Sequence, residues 1–433
     1  MFTHFNRQWP LIVALALMLF SVSSHSDTGT KNGFLTLSQV LARVLRDSPS
    51  LQSYPFYLRA DEARALQAQK RPNPELSLEL ENIGGSGSFE SGEQLETTLA
   101  LSQVIEMGDK REQRRQVSNW HTRNRQVGYE LARIDALAQA SAQFIRVART
   151  QWQHQFAQQH SAWAKAAAEA AQKRFEAGRI SEAEAGQARA EAMRAALDIE
   201  KTQTQLRAEK IQLATYWGSS LVDFDAVSVD LFKLPKLPSI EWLDQQLEQS
   251  PQWRRWLTQR RLREAELTLE QAQSRQNIEL GVGLKHQRAT SDNGFNVSLS
   301  MPLAINDRNQ GAIRAARAEL DVVDIQQRQE TLALKARLRI IWHNLHSTKN
   351  RVEALYEKVL PQLERVESQY QEGYLLGRFS YINLLDARQQ RLNAEQSALN
   401  AAVQFHQTLI QLEQLTGVPL TSPSAPVAPE KNL

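Results

Sequence analysis

Almost everything in this chain between residues 34 and 418 is written twice, at an interval of about 200 residues. Arg71–Asn82, RPNPELSLELEN, is answered by Arg275–His286, RQNIELGVGLKH. Leu99–Arg111, LALSQVIEMGDKR, is answered by Val297–Asn309, VSLSMPLAINDRN. Glu176–Arg189, EAGRISEAEAGQAR, and Leu375–Arg388, LLGRFSYINLLDAR, share Gly, Arg, Ser, Ala and Arg at matching places. Solenoid repeats have periods of about 20–50 residues. This interval is far longer and reads as a duplicated half-molecule. The two copies, 34–220 and 240–418, flank a linker at 221–239 that contains Pro235 and Pro238. Whatever one half folds into, the other must reproduce.

Within each copy the order reads helix, two strands, very long helix, break, helix. The strands fall near 73–83 and 93–104, then near 277–288 and 294–303. Leu76, Leu78 and Leu80 interleave with Ser77, Glu79 and Glu81, and Ile278, Leu280, Val282 and Leu284 follow the same pattern. A period of two gives every strand one apolar and one polar face. The long helical stretches cover 109–177 and 308–376, and at 1.5 Å per residue each would reach about 100 Å. Val127, Leu131, Ile134, Ala138, Ile145, Ala148 and Trp152 keep a heptad seam. Leu338, Ile341, Leu345, Val352, Leu355 and Val359 keep another. Pro361 lies inside the second stretch and predicts a kink or local irregularity. Such lengths suit a rod or tube.

Residues 1–26 read as a secretory signal, with Arg7 before an apolar run at 11–20 and small residues leading to cleavage after Ser26. That run is too short to cross about 30 Å of hydrocarbon as a helix, and none like it follows. Cysteine is absent, so neither disulfides nor a lipid-modified cysteine are expected. The 51 basic and 48 acidic residues leave a net charge of +3, without the concentrated basic face that nucleic acid demands. Residues 419–433 are proline-rich and predict a disordered tail.

Two isolated hairpins make no stable sheet in water unless they pack on the helices. A membrane offers another solution, since strands of about 9–11 residues cross it when tilted. A sheet in lipid must close on itself. Barrels begin at about eight strands, so four per chain call for oligomerisation, and a homotrimer with a 12-stranded barrel fits better than a dimer. Glu79, Glu81, Glu96 and Lys285 would wet its lumen. If both hairpins share one membrane, each long helix runs away from it and must turn back. The breaks at 177–181 and 376–380 are then far-end turns, where glycine permits the reversal.

On these features the chain resembles the TolC family of outer-membrane efflux channels over essentially its whole mature length. The turn motif, a glycine followed by xLLxAR, is carried by Gly377–Arg388. LSQVIEMGDKREQR at Leu101–Arg114 is similar to the strand-to-helix junction of the heavy-metal branch, from which Val104 and Asp109 depart. The resemblance implies a mostly α fold with a β-barrel part. Four membrane strands and long coiled-coil helices per chain close as a trimer into a 12-stranded β-barrel and an α-helical periplasmic tunnel. It implies a passive conduit in the outer-membrane lipid, working with a periplasmic adaptor (membrane fusion) protein and an inner-membrane RND pump. Heavy-metal cations are the implied cargo, and organic compounds are the alternative for the same fold. A periplasmic coiled-coil adaptor is a further reading, though it would need one hairpin rather than two. By resemblance, Gly178, Arg179 and Ser181 with Gly377, Arg378 and Ser380 form the adaptor-docking turns. Asn383, Asp386 and Glu184 stand where the family narrows its tunnel with acidic residues.

Catalytic chemistry finds no anchor. His343 and His346 lie three apart without an evident third ligand. GGSGS at 84–88 lacks the Lys-Ser/Thr of a phosphate loop. Met107, Met193 and Met301 form no soft-metal ladder. The expectation is no enzyme, no cofactor and no resident metal.

Overall fold

The computed structural model describes residues 33–420. The expected signal at 1–26, and all but the start of the expected tail at 419–433, lie outside the described residues. The first copy begins with β1 (Phe34–Leu35), α1 (Leu37–Asp47), α2 (Pro49–Gln52) and α3 (Tyr54–Ala68). It continues through β2 (Glu75–Glu81), β3 (Glu96–Ile105), α4 (Lys110–Glu176) and α5 (Glu182–Thr215). After β4 (Ala226–Val227) the second copy runs α6 (Ile240–Gln249), α7 (Pro251–Gln273), β5 (Ile278–Gln287) and β6 (Asp292–Ser300). It ends with α8 (Gln310–Glu353), a π turn (Ala354–Val359), α9 (Leu360–Leu375) and α10 (Tyr381–Thr416).

The two hairpins join into one antiparallel sheet of order β2-β3-β5-β6. Leu76 faces Leu101, which faces Val282, which faces Val297. One residue pair further along, Leu78, Leu99, Leu284 and Phe295 form a second apolar row. Period-two alternation therefore stays in register across both copies, and these apolar rows share one face, which gives way to Thr97, His286 and Asn293 toward the strand tips. That face is exposed, Phe295 at 88% and Val297 at 82%. On the other face Lys285 pairs with Glu96 and lies 3.5 Å from Glu81. The strand β2 is shorter than a membrane-crossing strand was expected to be, at 7 residues. Pro72 and Pro74 precede it, without N–H groups for a ladder, and Asn82 ends it at a φ of 59°.

The helix α4 is continuous over 67 residues. Its deepest stripe is Ala140, Phe144 and Val147, displaced from the predicted seam, of which Val127, Ile145 and Ala148 are buried. The reason is crowding: at mid-length α4 packs against α1, α5, α10 and β4 together, so more than one face is covered. In the second copy Leu338, Ile341, Leu345 and Val352 are buried as the heptads predict. Beyond Val352 the seam slips by one: Val359 is 39% exposed and Leu360 takes its place at 7%. The π turn inserts the extra residue just ahead of Pro361, whose ring and missing N–H spoil a regular α turn. The linker is not loose. Val227 pairs with Leu35, and Phe224, Val227 and Leu231 are buried in the mid-length core.

Candidate functional site

Both far-end turns are built from the same backbone parts. The N–H of Arg179 donates to the carbonyl of Arg174 at 2.8 Å, and that of Gly178 to Phe175 at 2.8 Å. In the second turn Arg378 donates to Gly373 at 2.8 Å and Gly377 to Tyr374 at 3.0 Å. This nested pair of bonds is a Schellman ending, which needs a left-handed residue. Gly178 and Gly377 supply it, with φ of 69° and 75°. A side chain at either glycine would meet open space, so the requirement is conformational rather than steric.

The serines act as N-caps. Ser181 accepts from the N–H of Glu184 at 3.2 Å, and Ser380 accepts from that of Asn383 at 3.4 Å. Asn383 also accepts back from the N–H of Ser380 at 3.3 Å, which closes a capping box. Two of the three residues singled out for the constriction thus hold helix starts together. Glu184 does more, because its Oε1 also accepts from the N–H of Tyr381 at 3.1 Å, at the start of α10. In return Arg174 Nη2 donates to the carbonyls of Tyr374 (2.8 Å) and Leu375 (3.1 Å), at the end of α9. An acid on a helix N-terminus and a base on a helix C-terminus both suit the macrodipole. These two contacts bind one turn to the other.

Asp386 is exposed, and among the described residues its carboxylate accepts only from Gln390 on the same helix, at 2.9 Å. Arg179 and Arg378 are exposed and make no side-chain bond among the described residues. Around Gly377 the surface is apolar, with Leu375 at 65%, Leu376 at 67% and Phe379 and Ile382 also exposed. His346 turns its Nδ1 to the carbonyl of Trp342 at 3.1 Å and lies against the Trp342 ring.

Sequence reasoning missed a buried charge network behind the second turn. Glu367 of α9 accepts from Arg388 at 2.5 Å and from Arg391, and Arg391 also donates to Glu395. The Arg388 guanidinium lies over the Trp163 ring, 4.7 Å from its centroid, reaching α4. Burial is the first cause that raises the Glu395 carboxyl, to about 7, against the lowering effect of Arg391. Burial likewise pushes Tyr381 up to about 12. A signal existed in the sequence: Leu360, Glu367 and Tyr374 stand seven apart, which places a carboxylate in an apolar seam.

A four-stranded sheet with exposed apolar rows on one face, standing on helices about 100 Å long, fits the class of outer-membrane channels. The chain belongs to the outer membrane efflux protein family, whose profile matches residues 40–219 and 242–418. It is 26% identical over 419 residues to the cobalt-zinc-cadmium resistance protein CzcC of Cupriavidus metallidurans, covering 94% of this chain and 98% of the relative. It is 24% identical to the nickel-cobalt-cadmium resistance protein NccC of Alcaligenes xylosoxydans xylosoxydans, covering 75% and 72%. Among solved structures, CusC superposes with a TM-score of 0.73 at 16% identity, over 91% of this chain and 95% of that one.

Proposed function

We propose that the chain is the exit duct of a three-part efflux system for heavy-metal cations. Three copies close a 12-stranded barrel in the outer membrane, and their helices form a tunnel in the periplasm. The sheet carries this reading: its apolar face runs unbroken across four strands, while β2 and β6 each lack a neighbour on one side among the described residues. Lipid does not tolerate open edges, and a second and third copy would pair them.

The duct has no energy source of its own, so an inner-membrane RND pump drives export through a periplasmic adaptor. The adaptor meets the turns at Gly178, Arg179 and Ser181 and at Gly377, Arg378 and Ser380. Unpaired arginines and an apolar rim support that assignment. Asp386, exposed near the turn, forms the constriction with Asn383 and Glu184. The metal cargo rests on the resistance proteins CzcC and NccC. Among the described residues no group of three or more His, Cys, Asp or Glu could hold a metal ion, and a conduit must release what it carries. Selection then belongs to the pump and adaptor.

The test is growth of a deletion strain on zinc, cobalt, nickel, cadmium, copper and silver salts, beside dyes and antibiotics. Sensitivity to metals is expected. Sensitivity confined to organic compounds would overturn the cargo and leave the duct intact.

A further inference from the structure

The foot of the sheet, where strands give way to helices, holds a notch of about 440 Å³. Met107, Ile278, Met301 and Leu303 line it, together with Arg275. Ile278 shares the apolar face of β5 with Leu280, while Met107 follows β3 and Met301 and Leu303 follow β6 directly. The notch therefore adjoins the end of the surface that meets hydrocarbon. Met107, Met301 and Leu303 are exposed there, Leu303 at 71%.

Arg275 is the charged residue in this lining, next to Gln276. Its guanidinium makes no hydrogen bond or ion pair among the described residues, although acidic partners are plentiful elsewhere along the helices. The base of its side chain packs on Gly108. A Cβ at that glycine would fall 2.6 Å from Arg275 Cγ, and its φ of 75° already favours glycine. An exposed, unpaired cation beside an apolar wall is matched by an anionic amphiphile: a phosphate for the guanidinium and an acyl chain for the wall.

We infer that this notch binds one phospholipid of the inner leaflet per protomer. The phosphate lies on Arg275, and an acyl chain lies along Met301 and Leu303. The leaflet follows from direction, because the helices leave the sheet at this end and run into the periplasm. The inference rests on the barrel's placement in the outer membrane. That placement is checked separately, by heat-resistant trimers in the outer-membrane fraction.

The experiment is native mass spectrometry of the full-length trimer in detergent with added phosphatidylglycerol. Wild-type trimers should retain lipid adducts, and Arg275→Gln and Leu303→Asn should each lower retention roughly tenfold. Arg328→Ala, far along α8, should retain lipid as wild type does. Equal retention by all three variants would overturn the site. Displacement of the lipid by inorganic phosphate at equal concentration would mark a free-anion site and overturn the lipid assignment. A measurement on unaltered protein guards against variants that fail to assemble. A phospholipid with a photoreactive acyl chain should crosslink to the peptide containing residues 301–304, and crosslinks confined to the strands would reject the notch.

Discussion

Behind Gly178, α4 and α5 meet along alanines: Ala157, Ala164 and Ala171 on one helix, Ala185, Ala188 and Ala195 on the other, all buried. Behind Gly377, α9 and α10 meet across Glu367, Arg388, Arg391 and Glu395, flanked by Tyr374 and Tyr381. The backbone of the two turns is nearly the same, yet their interiors share almost nothing. Small side chains let two helices approach closely through dispersion contacts, with polar contacts such as His160 to Glu191 at 3.2 Å beside the alanine stripe. The charged interior depends on mutual completion, since each buried ion is tolerable only while its partners stay in place. It is incompletely satisfied even here. Tyr374 Oη, Tyr381 Oη, Arg388 Nε and Glu395 Oε2 are buried without a hydrogen-bond partner among the described residues. Leaving this arrangement therefore forfeits less than a finished network would. The first helix pair, α4 and α5, thus rests largely on small apolar contacts, and the second, α9 and α10, on charges that need one another.

The largest effect should follow removal of one partner. Glu367→Ala strands Arg388 and Arg391 in a closed seam and should cost about 3–5 kcal/mol locally. Hydrogen exchange of α9 and α10 amides would show it, while the α4–α5 amides stay protected. Equal loss of protection in both hairpins would erase the distinction.

Next in size are the turn glycines. Gly178→Val and Gly377→Val each force a left-handed conformation on a branched residue, at about 1–2 kcal/mol. Trimers should still assemble. Because only the second turn carries the apolar rim, Gly377→Val should abolish export and Gly178→Val should only weaken it. Normal export from the double variant would remove the docking role from both turns.

A smaller effect concerns Asp386. Three symmetry copies at a constriction would favour cations, so Asp386→Ala channels in a planar bilayer at low salt should lose cation preference. Unchanged selectivity would place this carboxylate outside the narrow part of the tunnel.

The smallest is a slope with pH. Glu395 has its carboxyl raised in the folded chain from 4.5 to about 7. Between these values the folded state binds more protons than the unfolded state. Stability of the second hairpin should therefore fall as pH rises from about 4.5 to about 7, and level off above that. Glu395→Gln should flatten the profile of α10 exchange rates. A profile of the same steepness in both proteins would sink this account.

Much of this architecture was legible in the residues. Period-two alternation marked all four strands, because a sheet face in lipid must be uniformly apolar, and heptads marked the rods. The glycine in each turn was legible because a Schellman ending has few chemical solutions. Even Pro361 announced the irregularity beside it, since an imino acid cannot complete a regular helix. What the sequence could not supply was anything requiring two distant elements to meet. The pairing of β3 with β5, the second seam on α4 and the contact of Glu184 with Tyr381 all arise between residues far apart in the chain. The seven-residue spacing of Leu360, Glu367 and Tyr374 put a carboxylate in an apolar seam, but its partners Arg388 and Arg391 came only with α10. Local periodicity reports which side of an element is apolar; only the assembled helices decide which polar groups lose their water, and so which of two matching turns is backed by buried charges.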